Sequence, residues 1–520
     1  MDMVEERPTL EKVTGRGAFR GSALTSVWTL FSRILGFVRD AMMTATFGMS
    51  PVFGSFSVAW VLPNLFRRLF GEGAVGAAVQ PALAREREEK GEEAAKLLYR
   101  TFVGWTGMAL IALVLIGEVL LFFWMGVASE KEQLVLLLAA LLLPYSIPIC
   151  LSALATAPQH MSGRFLAPAA APVILNLVWI GALLVAEPKL VEELDGTAIS
   201  LSLALLAGGI LQYLVQLPGV RAAGFPMLPH AGFRSESGRR TVRDFLPAFV
   251  ALAGVQINMA LDQALVWGIV GAEANSFAYL SNRLLQLPLA LIGIAVATGT
   301  LPLFARLSAE GRFEELSFAL RNAVEGTLLL IVAAAAGLWV LAPDVLTVLF
   351  DHGRYDSADT PLLTETLRAY LWCLPGATLA GLLTRVRQSR GDYRGPAIIA
   401  GISIPVNLGL DIYLLPKMGV PGAGWATAVA LSLQAALLLS GLRGLEIRKP
   451  ILVRRLPKLL GPAIAAAWVS GLFSAWLGEQ SATIPGICVC IGSGVLAAVA
   501  ASAILLPGEI RSLFRGNGRT

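Results

Sequence analysis

The sequence predicts an all-α polytopic membrane protein of about fourteen transmembrane helices, built as two six-helix lobes related by a parallel pseudo-two-fold repeat plus two extra C-terminal helices. Three observations carry this: composition, the length and spacing of the apolar runs, and a recurrence of residues at one displacement. Of 520 residues, 56% are hydrophobic and 15% charged, with mean hydropathy +0.68. A soluble domain carries about 25% charge, so a soluble multidomain enzyme is excluded. The apolar runs are continuous and lack period-two alternation, which excludes an outer-membrane barrel. Fourteen helices at about 20 residues each take roughly 280 residues and leave short connections.

In chain order, residues 1–22 mix Glu5, Glu6, Arg7, Lys12 and Arg16, unlike a cleaved signal peptide with its charged start and apolar middle. They read as a retained tail. Apolar spans follow near 23–46, 53–72, 97–127, 133–157, 165–186 and 196–218, forming an N-lobe over 23–219. A basic linker occupies 220–243. Spans near 244–270, 275–304, 322–342, 361–384, 395–416 and 421–442 form a C-lobe over 244–443. Two further spans, 456–478 and 484–507, lie in a region 452–507 that precedes a tail at 508–520.

Connections between spans alternate in cationic content, as the positive-inside bias requires. The two tails, 85–100, Arg164, 221–243, 306–321, 385–394 and 443–458 together hold 31 of the 41 Lys and Arg residues; the opposite set holds five, Lys131, Lys189, Arg354, Arg368 and Lys417. Both termini are therefore expected in the cytoplasm. The net charge of +5 and pI near 9.1 follow from this bias and call for no nucleic-acid partner. Cys150, Cys373, Cys488 and Cys490 fall in apolar runs, where a thiol behaves as a small hydrophobe.

Ser55-Phe56, Pro81, Ala84, Arg85 and Arg100 recur as Ser276-Phe277, Pro302, Ala305, Arg306 and Arg321, all displaced by 221 positions. Pro144 and Asn176-Leu177 recur as Pro375 and Asn407-Leu408, displaced by 231. Spans 1–6 thus match spans 7–12, and an even number of spans points both halves the same way. Parallel halves are a transporter architecture, with a substrate site expected between them near mid-membrane.

Five arginines sit in or at the edge of spans: Arg33, Arg39, Arg67, Arg68 and Arg283. Each costs about 2.5–3.5 kcal/mol at the bilayer centre, so a set of them favours a watery cavity over lipid. Guanidinium forks bind phosphate oxygens bidentately and keep their charge, which points to an anionic, phosphate-bearing ligand. The other reading is structural: the arginines snorkel, or pair with Asp40 and Glu72. Pro63, Gly71 and Gly73 in the first lobe and Pro288, Gly293 and Gly299 in the second are helix breakers that suit gating, although both residue types are common in membrane helices.

In the second lobe, Asn407 and Asp411 share a helical face, with Asp262 in span 7 and Thr427 in span 12. All offer oxygen ligands for a hard cation, and spacing alone serves a hydrogen-bonded bridge between helices equally well. The first lobe has Ile180 in place of Asp411. No Walker loop, zinc-helix motif or Gly-x-Ser-x-Gly elbow is present. The acids Asp344, Asp351, Asp356 and Asp359 read as a solvated turn. A secondary-type transporter driven by a gradient or potential fits better than an enzyme.

Two long motifs, Phe31-Ser32-Arg33-x-Leu35-Gly36-x-x-Arg39-Asp40 and Leu62-Pro63-Asn64-Leu65-x-Arg67-Arg68-x-Phe70-x-Glu72-Gly73-Ala74, together with Leu349-Phe350-x-x-Gly353, resemble the MurJ (MviN) lipid II flippases. That family belongs to the superfamily of multidrug, oligosaccharidyl-lipid and polysaccharide exporters. The resemblance implies an activity. The undecaprenyl-pyrophosphate-linked disaccharide pentapeptide of peptidoglycan would be moved from the inner to the outer leaflet of the bacterial cytoplasmic membrane, by a monomer that touches lipid II and membrane lipids and no nucleic acid. The resemblance also places Arg33, Arg39, Arg67 and Arg283 against the diphosphate and sugar, with Asp40, Glu72 and Asn282 beside them. It puts a sodium ion on Asp262, Asn407, Asp411, Thr427 and a carbonyl near Ala423. Spans 13 and 14 would form a groove for the lipid tail.

Two departures stand out. Relatives often carry an Asp where this chain has Gly54, and another beside the span-8 arginine where it has Asn282. Asp40 and Glu72 are then the acids left to pair with the arginines. A drug or polysaccharide exporter of the same superfamily is disfavoured by the cationic cavity, and a non-transporting scaffold or enzyme of wall synthesis is the more distant alternative.

Overall fold

The computed structural model describes residues 15–69, 75–186, 193–226, 229–230, 243, 256–442 and 449–505. It is helical throughout these residues apart from short connections. In order come α1 (Gly15–Phe47), α2 (Pro51–Leu69), α3 (Val75–Lys90), α4 (Glu92–Met125), α5 (Glu130–Leu142), α6 (Ser146–Met161), α7 (Leu166–Ala186) and α8 (Leu194–Ala222). A helical segment at 256–270 follows, then α9 (Ala272–Pro288), α10 (Ala295–Ala309), α11 (Phe313–Phe350), α12 (Thr360–Leu371), α13 (Cys373–Ser389), α14 (Arg394–Met418), α15 (Pro421–Ser440), α16 (Lys449–Leu477) and α17 (Ile484–Leu505).

Nine helices among the described residues are long and apolar enough to cross a membrane. The chain is a multi-pass membrane protein. The remaining helices carry charges or breaks: α1 holds Arg33, Arg39 and Asp40, α2 holds Pro63, Arg67 and Arg68, and others are interrupted at Leu289–Ile294 and at Trp372. The expected basic loop at 85–100 is helical instead. α3 and α4 are separated only by Gly91, whose φ of 88° suits a residue without Cβ. Glu86–Lys90 and Glu93–Lys96 pairs stabilise the ends it joins.

The chain folds as two compact units, Met1–Thr46 with Ser55–Ala260 and Phe47–Gly54 with Leu261–Thr520. The first packs a core of Leu83, Tyr99, Val103 and Ala155. The second packs Phe304, Leu320, Val324 and Val386. These are the same positions displaced by 221 or 231, and helices α2 and α9, and α4 and α11, also start 221 residues apart.

One expectation is corrected. Asp344 lies inside α11, not in an acidic turn, and its Oδ2 accepts a 2.6 Å hydrogen bond from Ser474 Oγ of α16. An apolar helix partner thus carries the hydroxyl that a carboxylate inside a span needs. Arg368 donates from Nε to the Trp339 carbonyl at 2.9 Å and stacks 4.3 Å from the Trp339 ring centroid. Four residues on from Trp339 is Pro343, which has no N–H to offer that carbonyl, so the guanidinium takes its place.

Candidate functional site

In the first unit, α1 presents its charged residues unequally. Arg33 is exposed beside the exposed apolar side chains of Leu30, Phe31 and Ile34. Arg39 and Asp40 are buried, at 7% and 0% exposure. Arg39 Nη2 lies 2.6 Å from Asp40 Oδ1 and Nε 3.0 Å from the same oxygen, while Nη1 donates to Asn176 Oδ1 of α7 at 3.1 Å. Asn176 Nδ2 donates in turn to the Ser32 carbonyl at 2.9 Å, which ties α7 back to α1. The guanidinium carbon stacks 4.3 Å from the centroid of Trp179, one helical turn along α7.

Trp179 is fixed from all sides. Its indole N–H points at Met43 Sδ, 3.2 Å away, and its ring meets Phe56 and Trp60 of α2 edge-on at 5.7 and 5.0 Å. Trp60 then meets Tyr145, whose hydroxyl donates to Gln212 of α8 at 3.1 Å. This aromatic chain places the arginine by packing four helices around it. On α2, Arg67 is half-buried and donates from Nε to Asn64 Oδ1 at 3.0 Å. Arg68 reaches Gln256 and Met259 at 3.5 and 3.4 Å. Glu72 lies outside the described residues.

In the second unit, Asn407 of α14 donates from Nδ2 to Asp262 Oδ1 at 2.5 Å and to Asp411 Oδ2 at 3.0 Å. Asn407 and Asp411 are buried. The other oxygen of each, Asn407 Oδ1 and Asp411 Oδ1, is buried without a hydrogen-bond partner. Orphaned acceptors in a span ask for a positive or protic guest. α15 packs closely here, since a Cβ at Gly422 would sit 2.9 Å from the Leu414 carbonyl, one turn from Asp411. That seats the buried Ala423 and half-buried Thr427 on the helix facing α14.

The half-buried Arg283 and Asn282 lie on α9, and Asn282 Nδ2 donates back to the Ala278 carbonyl at 3.2 Å. Gly54 explains one departure from the resemblance. A Cβ there would overlap the carbonyl oxygen of Ala272, and Asn275 Nδ2 reaches the Gly54 carbonyl at 3.5 Å. An Asp at 54 has no room in this arrangement. The sequence offers Asp40 as a partner for the span arginines without choosing among them: neighbours in sequence point about 100° apart on a helix, and the long Arg39 guanidinium closes that gap.

The family profile described as "Lipid II flippase MurJ" matches residues 43–482. The chain belongs to the MurJ lipid II flippase family. It is 34% identical over 442 residues to a probable lipid II flippase MurJ of Rhizobium tropici, covering 83% of this chain and 82% of that protein. It is 28% identical over 496 residues to the lipid II flippase MurJ of Burkholderia cenocepacia, covering 92% and 95%. Among solved structures, a lipid II flippase MurJ in an inward closed conformation superposes with TM-score 0.75 at 22% identity over 95% of this chain and all of that one. An inward-facing multidrug transporter of the MATE family gives TM-score 0.63 at 15% identity, covering 78% of this chain and 93% of that one. At these identities the structures speak for the fold.

Proposed function

We propose that this chain moves lipid II, the undecaprenyl-pyrophosphate-linked disaccharide pentapeptide, from the inner to the outer leaflet of a bacterial cytoplasmic membrane by alternating access. It acts as a monomer and secondary-type transporter with both termini in the cytoplasm. The observation that carries the reading is a pair of half-buried guanidinium groups, Arg67 and Arg283, inside the stretch the family profile covers. Such groups in apolar helices suit a doubly charged diphosphate. Exposed Arg33 adds a third fork within the apolar face of α1.

Membrane potential would assist the return of the cationic helices, at about 2.3 kcal/mol per unit charge and 100 mV. In proteoliposomes, Arg67→Ala and Arg283→Ala are expected to slow lipid II translocation at least tenfold at unchanged protein level, while Arg164→Ala, in a connection, does not. Wild-type rates in both span-arginine variants would overturn the reading.

The residues Asp262, Asn407 and Asp411 fit a small monovalent cation, by the orphaned oxygens of Asn407 and Asp411, and the Thr427 hydroxyl and Ala423 carbonyl would complete the shell. A bound sodium ion supplies the positive charge that two neighbouring carboxylates lack. The chain's own part is to hold those carboxylates together through Asn407 Nδ2. Sodium is expected to raise the thermal midpoint of the purified protein over equimolar potassium, and Asp411→Asn to abolish that difference. Equal midpoints in both salts for the unaltered chain would sink the cation site.

A further inference from the structure

The two units hold the same asparagine in two different electrostatic settings. Asn176 and Asn407 are equivalent by the 231-residue displacement. Each bridges its own unit: Asn176 to α1 through the Ser32 carbonyl, Asn407 to the helical segment 256–270 through Asp262. What differs is the amide oxygen. Asn176 Oδ1 accepts from Arg39 Nη1 at 3.1 Å, whereas Asn407 Oδ1 has no partner.

The surrounding charges differ to match. Among the described residues, the charged pair hydrogen-bonded at Asn176 is one carboxylate, Asp40, and one guanidinium, Arg39, whose charges offset each other. Around Asn407 stand two carboxylates, Asp262 and Asp411. The second carboxylate has no counterpart in the first unit, where Ile180 takes the place of Asp411, and the position 221 residues on from Arg39 is Ala260, which carries no charge. Trp179 backs the guanidinium with its ring, and Leu410 stands at the corresponding position of α14.

We infer that the Arg39 guanidinium is a tethered cation: it fills, in the first unit, the oxygen nest that the second unit leaves to a mobile ion. Arg39 is thus a positioning residue that neutralises Asp40 and locks α1 to α7, and the first unit needs no ion for its own closure. Both its hydrogen-bonding faces are taken, by a carboxylate and an amide oxygen, and its π-face by an indole. The phosphate-directed work falls to Arg33, Arg67 and Arg283. This rests on the flippase reading for its ligand, and on the hydrogen bonds alone for the pairing.

The pairing makes a sharp demand. Removing one member of a buried ion pair strands the other charge, whereas removing both is nearly neutral. In full-length protein, Arg39→Met is expected to lower the thermal midpoint by roughly 3–5 °C, and adding Asp40→Asn to recover most of the loss. Binding of undecaprenyl pyrophosphate in nanodiscs, weakened in the single variant, returns in the double variant to within about threefold of the unaltered chain. A double variant that regains its midpoint yet binds the lipid pyrophosphate tenfold or more weakly would make Arg39 a direct ligand and overturn the inference.

A second arm covers a double variant that fails to fold. Arg39→Gly leaves a guanidinium-sized space beside Asp40, and millimolar methylguanidinium is expected to raise its midpoint, by mass action on the folded state, while equimolar ammonium does not. Equal response to the two cations overturns the proposal. If the unaltered chain binds no undecaprenyl pyrophosphate, the flippase reading fails, and the two midpoint measurements still decide the role of Arg39.

Discussion

Helices α2 and α9 begin at equivalent residues, Pro51 and Ala272, and share Ser-Phe at 55–56 and 276–277, yet they break their hydrogen-bond ladders differently. α2 carries Pro63 in its interior and stays α-helical to Leu69. α9 ends on Pro288 and passes into a wider π-helical run, Leu289–Ile294, before α10 resumes. A proline costs the same missing N–H in both places, so the residue alone does not decide the outcome. Packing around the freed carbonyl decides it. At Gly293 in the π run, a Cβ would lie 2.6 Å from Thr378 Cγ2, so the wide turn presses its backbone against α13 through a residue without a side chain. π-helical turns persist where function holds them, and this one continues the helix that carries Arg283.

The sharpest way to break the comparison is at the place where α2 and α9 start alike. Gly54 packs its Cα against the Ala272 carbonyl, with Asn275, its repeat equivalent, reaching its own carbonyl. Backbone cannot yield as a side chain can. Gly54→Leu is therefore expected to cost about 3 kcal/mol or more, the upper end of overpacking penalties. Thermal unfolding of the purified variant measures it as a midpoint lowered by about 3 °C, and a midpoint unchanged within about 0.5 °C would mean the close approach is not maintained.

Much of this is legible in the chain itself. The helical class follows from continuous apolar runs, and the residues that pair across the repeat, such as Leu83 with Phe304 and Tyr99 with Leu320, lie in matching cores. The hydrogen-bonded set Asp262, Asn407 and Asp411 is legible too, since i and i+4 share a helix face. Less visible is anything set by tertiary reach. Nothing in the spacing of Arg39 and Asp40 says that a long side chain will fold back on its neighbour, or that Asn176, 137 residues on, will complete the set. Arg368 reads as a stray outer cation until the Trp339 carbonyl, freed by Pro343, is seen beneath it. The π run is equally silent, because the 221-residue displacement continues unchanged across it from Phe277 to Pro302 and no inserted residue marks the wider turn.

The two prolines themselves give the smaller and more discriminating test. Pro288→Ala restores an N–H that can bond the Leu284 carbonyl and lets α9 continue into a regular α-helix. Straightening the π run would pull Gly293 from Thr378 and rotate everything C-terminal to it, so stability is expected to rise by about 1 kcal/mol while lipid II translocation slows several-fold. Pro63→Ala restores one hydrogen bond to the Ala59 carbonyl within a helix that is already α-helical on both sides, so no rotation follows. Its expected effect is within about 1 kcal/mol on stability and less than twofold on transport. Measured side by side, the pair separates the bond from the geometry: both variants gain the same N–H, and only one of them has a wide turn to lose. If both slow transport alike, the π run has no special role, and the breakers in the two lobes act simply as flexible points.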